Sequence, residues 1–276
     1  MQKHLKSLLI FIFSFTLFLT QSCDEINKKD PLKIAISKDI PAKYITTYSG
    51  WISRFQEDVE FYNLYPMGID SAIRILKDCD GLILTGGADI FPAYYNKIND
   101  TTRCGKFDHY RDSLEFASIN TALEMRMPIV GICRGEQILN ISQGGSLIIN
   151  IPTDFDSSIR HRNDGMEYCF HDINCVDQSL LSNICGIKHG DVISNHHQGI
   201  DKQGKGLKIS AYSKDHLPEA IEWEHRGEKS FLLAVQWHPE RMDTLHPLSA
   251  PIAKEFLREM KIFQEEELER KITSQY

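Results

Sequence analysis

The sequence predicts an α/β fold, a mostly parallel central sheet with helices on both faces. Two observations carry this prediction. Short, continuously apolar runs that end in glycine, such as GLILTGG (81–87), or that lead into a turn, such as PIVGI (128–132), have the pattern of strands buried on both faces. Amphipathic stretches separate them, and strand–helix–strand alternation of this kind builds parallel sheets. The 276 residues, 42% of them hydrophobic, supply core material for one large α/β domain.

Taken in order, PLKIAISK (31–38) reads as the first strand. The stretch 48–66 reads as a helix followed by a short strand, and 71–81 as a helix with Ile73, Leu76 and Lys77 at helical spacing. The strand 81–87 follows. The stretch 111–127 reads as a helix with Leu114, Ala117, Ala122 and Leu123 on one face. Strand 128–132 leads into a helix over 134–145 that stops at a glycine pair. The second half differs: 166–176, 208–213, 220–225 and 231–240 read as strands joined by turns, and 250–271 as a charged closing helix. No internal repeat or low-complexity tract interrupts 32–276, which is read as one domain.

The N-terminus has a different character. Lys3 and Lys6 precede an uncharged apolar run, Leu8 to Leu19, which is short for a membrane span. That order is a signal-peptide pattern. It ends in LTQSC, which resembles a bacterial lipoprotein box, with Ser22 as the small residue before the cut and Cys23 as the lipidated (palmitate-type) mature N-terminus. Residues 1–22 are then the signal peptide and 23–31 a polar tether; an ordinary secretory signal with an incidental cysteine, or an uncleaved anchor, are the competing readings. The expected location is an envelope membrane, periplasmic or at the cell surface, with the lipid as the membrane contact. Cleavage removes two lysines and no acid, taking the formal charge from -7 to -9.

No long basic run appears, which argues against a nucleic-acid partner. Of 7 cysteines, Cys79, Cys104, Cys169, Cys175 and Cys185 remain once Cys23 and Cys133 are set aside. An exported compartment permits disulfides, but pairing is not deducible from sequence. No Cys/His group has local zinc spacing, so no metal or cofactor is expected. His109, His161, His171 and His189 are read as structural or surface residues.

The chemistry is concentrated in VGICRGEQ (130–137), where Cys133 stands between Gly131 and Gly135. Ligands of open α/β sheets bind at the carboxyl ends of strands, and Cys133 lies at such an end. The pattern is that of a nucleophile elbow, a sharp strand-to-helix turn whose neighbours must be small. The following helix N-terminus favours a thiolate, and the Arg134 N–H faces any oxyanion. A small buried cysteine beside packing glycines is the competing reading of GxCxG alone. A thiol nucleophile needs a base. AVQWHPE supplies His238 after an apolar strand, with Glu240 to orient its ring. In LTGGADIFPAYY, Gly86 and Gly87 let the backbone face a ligand, and Gly87 offers a second oxyanion donor.

TGGADIFPAYY, RDSLEFASINTAL, PIVGICRGEQILNISQGGSL, SNHHQGI and AVQWHPE occur in the order seen in class I glutamine amidotransferase-like proteins. They look most like the branch of γ-glutamyl-γ-aminobutyrate hydrolases, over about residues 32–260. The resemblance implies a flavodoxin-like α/β fold. It implies Cys133 as nucleophile, His238 as base, Glu240 as its orienting acid, and Gly87 and Arg134 as backbone oxyanion donors. Gly86, Gln137, Ser194, His196 and His197 are implied to lie beside the substrate. Three positions depart from the family pattern: Thr85 replaces a proline, Ile193 an asparagine, and Glu136 fills a variable site.

The expected function is cysteine-dependent hydrolysis of γ-glutamyl amides, γ-glutamyl-GABA or similar small compounds, through a glutamyl thioester and without a cofactor. A glutaminase or amidotransferase-type subunit, and a non-catalytic γ-glutamyl-peptide binding lipoprotein, are the alternatives. The leaving amine and the oligomeric state are not legible.

Overall fold

Among the described residues, nine strands make one sheet in the order β2-β1-β3-β4-β11-β10-β9-β6-β7. The computed structural model describes residues 30–39, 47–163, 168–227 and 229–274. The signal-peptide and tether expectations, and Cys23 with them, lie outside the described residues. Leu32–Tyr276 forms one compact unit, distinct from Met1–Pro31.

The parallel half consists of β1 (Leu32–Ile36), β2 (Val59–Asn63), β3 (Gly81–Leu84), β4 (Ile129–Ile132) and β11 (Leu232–Val235). Successive side chains point to opposite faces. Ile34, Ile36, Ile83, Val130, Ile132, Leu233 and Val235 join one core. Ala35, Leu82, Leu84, Ile129, Leu232 and Ala234 join the other. This is why the strands read as unbroken apolar runs. Helices α2 (Ile69–Leu76), α3 (His109–Glu124) and α4 (Arg134–Ser142) cover the second face. Helices α1 (Tyr48–Ser53), α6 (Leu180–Cys185) and α7 (Ala250–Thr273) cover the first. Thr47 caps α1 by accepting from the Gly50 N–H, and Asp108 caps α3 by accepting from the Arg111 N–H.

The remaining strands are antiparallel: β10 (Pro218–Trp223) on β11, β9 (Leu207–Ser213) on β10, β6 (Cys169–Cys175) on β9, and β7 (His189–Ser194) on β6. A separate ribbon pairs β5 (Ser146–Ile148) with β8 (Gly199–Lys202), and a single turn, α5, spans Ile151–Asp154.

Several details differ from the sequence pattern. HGDVIS is too polar to look like a strand, yet it forms β7 because β6 offers it backbone partners. Only Leu232–Val235 of 231–240 is strand, since the chain turns at Trp237 to bring the next residues over the sheet edge. Helix α2 buries Ala72 and Leu76 and exposes Lys77. On α3 the buried side is Arg111, Glu115, Ser118 and Ala122 together with Leu114 and Ile119, whereas Ala117 and Leu123 are only half-buried. The helix period holds, but charged residues rather than leucines start the inward stripe. Cys79, Cys104, Cys133, Cys169, Cys175 and Cys185 are all free thiols.

Candidate active site

Cys133 ends β4 with φ 54° and ψ -107°, a left-handed conformation that non-glycine residues adopt at a cost. Its own N–H donates to Val235 O at 2.8 Å, and its carbonyl accepts from Glu136 N–H at 3.0 Å. The glycines do what the elbow requires. A Cβ on Gly131 would lie 2.8 Å from Ala234 Cβ and 2.8 Å from Gly135 O, and one on Gly135 would overlap the Leu84 carbonyl. As the first residue of α4, Arg134 has a backbone N–H with no intrahelical acceptor.

His238 follows β11, the strand beside β4, and its N–H donates to Ile193 O at 2.8 Å. Its Nδ1 lies 2.7 Å from Glu240 Oε1, and both residues are buried. A turn at Pro239 fixes this pair: Ser249 Oγ donates to Pro239 O at 2.7 Å and Trp51 Nε1 to Ser249 Oγ at 3.0 Å. Burial lowers the imidazolium of His238, but the charges of Glu240 and Cys133 outweigh it and lift its pKa to about 9. A methyl group placed on Gly86 would be 3.1 Å from His238 Cε1 and 3.5 Å from Cys133 Cβ, so the three residues meet at one point.

The loop after β3 is held from behind. Arg111 donates to Gly86 O at 3.0 Å and to Thr85 O and Thr85 Oγ1, both at 2.8 Å. Thr85 Oγ1 donates to Lys38 O at 2.9 Å, a bond that the proline of the family pattern cannot make. Arg111 pairs with Glu115 at 2.8 Å, and the Arg134 side chain pairs with both Glu115 and Asp112. Arg134 Nε also donates to Ala88 O at 2.7 Å. The guanidinium of Arg134 is therefore a buried anchor, and only its backbone N–H faces the elbow. Tyr48 Oη accepts from the Gly86 N–H at 2.9 Å, which occupies that amide.

The other expected site residues are placed as follows. Gln137 Nε2 donates to Gln198 O at 3.0 Å and Gln236 Oε1 at 2.9 Å, so its amide is committed inside the protein. Ser194 Oγ donates to His161 O at 2.7 Å and is buried. His196 is buried with its ring against His161 and His171. His197 alone of the pair reaches solvent, and its Nε2 lies 2.9 Å from Asp89 Oδ1. Glu136 is fully buried with neither carboxylate oxygen bonded, and burial, then the charges of Glu219 and Cys133, push its pKa well above the ordinary carboxyl range. Ile193, where the family carries asparagine, packs into the core and acts through its carbonyl on His238.

Sequence reasoning missed Arg111, Asp112, Glu115, Tyr48 and Gln236. RDSLEF held a signal for the first three: charges at i, i+1 and i+4 on a helix that must face the core need buried partners.

A strand-to-helix cysteine elbow beside a strand-end His–Glu pair, on this sheet, defines the class I glutamine amidotransferase-like proteins. Within that class the chain belongs to the Peptidase C26 family, whose profile matches residues 38–240. A Schizosaccharomyces pombe protein provisionally named a glutamine amidotransferase is 36% identical over 68% of this chain and 72% of its own length. A Mycobacterium tuberculosis protein of similar provisional name is 35% identical over 74% of this chain, and the match spans 64% of that relative, just under two thirds. The γ-glutamyl-γ-aminobutyrate hydrolase PuuD of Escherichia coli K12 is 32% identical over 67% of this chain and 73% of its own. In fold, the chain is similar to the glutaminase domain of Trypanosoma brucei CTPS with bound acivicin (TM-score 0.55, 18% identity, 83% of this chain and 94% of that one). It is also similar to a Thermotoga maritima glutamine amidotransferase (TM-score 0.53, 14% identity, 86% and 98%).

Proposed function

We propose that this protein hydrolyses γ-glutamyl amide bonds of small substrates, with Cys133 as nucleophile. The observation that carries the reading is the Cys133 elbow at φ 54° with His238 alongside and Glu240 2.7 Å behind it. A strained backbone is retained where the surrounding structure holds it for a purpose, and a packing cysteine has no use for an adjacent buried His–Glu pair.

The Cys133 thiolate attacks the γ-carbonyl carbon, and the carbonyl oxygen becomes an oxyanion facing the Gly87 and Arg134 N–H groups. His238, protonated at neutral pH, gives its proton to the leaving amine as the C–N bond breaks and the glutamyl thioester forms. The neutral ring then takes a proton from water, whose oxygen attacks the thioester. The C–S bond then breaks, glutamate leaves, and the expelled Cys133 thiolate stands again beside the His238 imidazolium. Glu240 holds the ring tautomer and stabilises the imidazolium. The side chains supply every proton transfer in this scheme. The E. coli relative supports γ-glutamyl-GABA as one substrate to test, and the amidotransferase relatives support glutamine as another.

The test is glutamate release by the purified protein from a panel of γ-glutamyl amides, glutamine included. Release that depends on Cys133 supports the reading. Tight binding of the panel with no turnover would identify a binding protein instead, and turnover of glutamine alone would identify a glutaminase.

A further inference from the structure

Three histidines and one glutamate that the proposed chemistry does not use converge beside the SNHHQ segment. His161, His171, His196 and Glu219 each bring one donor atom into a cluster in which all donors lie within 4.8 Å of one another. All four residues are exposed by 7% or less. They come from four places: the loop before β6, β6 itself, the β7–β8 connection and β10. No sequence spacing could announce the group.

The outer nitrogens of the three rings are spoken for. His161 Nε2 faces Asp215 Oδ2 at 2.8 Å, His171 Nδ1 faces Asp172 O at 3.3 Å, and His196 Nδ1 faces Gln198 O at 2.9 Å. Carbonyl and carboxylate oxygens only accept, so these outer nitrogens carry the protons. When the rings are neutral the inner nitrogens present lone pairs: His161 Nδ1, His171 Nε2 and His196 Nε2 turn toward Glu219, itself an acceptor. Glu219 Oε1, Glu219 Oε2 and His196 Nε2 have no hydrogen-bond partner. Three lone pairs and a carboxylate facing one another in a buried space repel unless a positive charge lies among them, either a metal ion or a second proton on His161, which Glu219 and Asp215 favour.

Four of the six donor separations fit a particular cation, and all six are within 4.8 Å. His161 Nδ1 is 3.2 Å from His171 Nε2 and 3.2 Å from Glu219 Oε1; His171 Nε2 and His196 Nε2 are 3.5 and 3.6 Å from Glu219 Oε1. A tetrahedral zinc ion, with bonds of about 2.0–2.1 Å, sets its donors roughly 3.3–3.4 Å apart. Imidazole nitrogens with one carboxylate suit zinc-type ions rather than calcium or magnesium. Each ring anchored at its far nitrogen is also the usual outer arrangement of metal-binding histidines. A cavity of about 430 Å³, lined by His161 and His196 among others, provides an entry path.

We propose that His161, His171, His196 and Glu219 form a closed, four-ligand site for a zinc-type divalent ion. Its place in the fold makes it structural. It ties β6 and β10 to the segment carrying His196, His197 and Gln198, and so fixes the residues that hold Asp89 and Gln137 beside the elbow.

The test is titration of the purified protein with zinc chloride alone, in a Cys133→Ala background so that the thiol cannot bind the metal. Calorimetry gives affinity, and elemental analysis after dialysis gives stoichiometry. Cobalt(II) in place of zinc reports tetrahedral geometry through its visible absorption. One ion per chain is expected, bound at submicromolar concentration. His171→Gln and Glu219→Gln should each weaken it by at least about 100-fold, and Asp215→Asn, which removes no ligand, by roughly 10–100-fold. His109→Gln should leave it unchanged. Circular dichroism checks that each variant is folded, and Asp215→Asn keeps the test decisive if a ligand variant does not fold. Folded protein that takes up no stoichiometric zinc at micromolar concentration would overturn the proposal. So would binding that survives Glu219→Gln and Asp215→Asn unaltered.

Discussion

Glu240→Gln isolates the electrostatics of the His–Glu pair without needing a substrate. In the folded protein burial lowers the His238 imidazolium, yet Glu240 and Cys133 lift its pKa from the ordinary 6.5 to about 9. Each pH unit between folded and unfolded values corresponds to about 1.4 kcal/mol, so the raised value is worth about 3 kcal/mol of stability. Because the folded value is the higher one, that contribution is complete below pH 6.5 and is lost as pH rises through 9. Charge centres about 4 Å apart at an effective dielectric near 20 attract by about 4 kcal/mol, so Glu240 is the larger contributor to the rise and Cys133 the second. The assay is urea unfolding of wild type and Glu240→Gln from about pH 6 to about pH 10, with the slopes compared to confirm a common denatured state. The stability difference between the two proteins should shrink by up to about 3 kcal/mol across that range, the part due to Cys133 being common to both. A difference that stays constant to within about 1 kcal/mol would refute the pairing of an imidazolium with Glu240.

The remaining predictions concern the elbow, its supports and the N-terminus. Cys133→Ala should abolish glutamate release while leaving the thermal melt near wild type. His238→Ala should lower kcat/KM by roughly 10²–10⁴-fold, and Glu240→Gln should retain more activity than that because an amide oxygen still accepts the ring N–H. Gly135→Ala should destabilise by about 1–3 kcal/mol or more in urea unfolding, since its Cβ meets the Leu84 backbone, which cannot swing away. Glu115→Gln strips the charge shared by Arg111 and Arg134 and should cost about 3–5 kcal/mol, with loss of activity through the displaced Gly86–Gly87 loop. For the lipoprotein reading, mass spectrometry of the mature protein should find an N-terminal, lipid-modified Cys23; an unmodified Cys23 or a cut elsewhere defeats it.

The parallel half of the sheet was legible because its information is local. Apolar runs such as 81–84 and 129–132 declare burial on both faces, and the glycines around Cys133 declare a turn in which a Cβ has no room. His238 and Glu240 were legible for the same reason, standing two residues apart just past such a run. The supporting layer was not. Arg111 and Glu115 look like a solvated helix face until β3 brings Thr85 and Gly86 against them. Strand β7 is polar and takes its form from β6. The histidine cluster draws on residues 161, 171, 196 and 219, whose meeting depends on the antiparallel half of the sheet, where pairing partners are set by tertiary structure rather than by any local period.

The pairing of Val235 with Ile132 on adjacent parallel strands has a consequence for how this protein can change. Cys133 is the next residue after Ile132, and His238 follows Val235 by three. Cys133 and His238 are thus mounted on two adjacent parallel strands at the centre of the sheet, with helices on either side. The His197–Asp89 contact and the cavity walls at Arg160 and Asn150, by contrast, hang from loops and from the antiparallel extension. Under the proposed function, variation in those loops would change which amine is accepted while the two strands that carry Cys133 and His238 stay as they are.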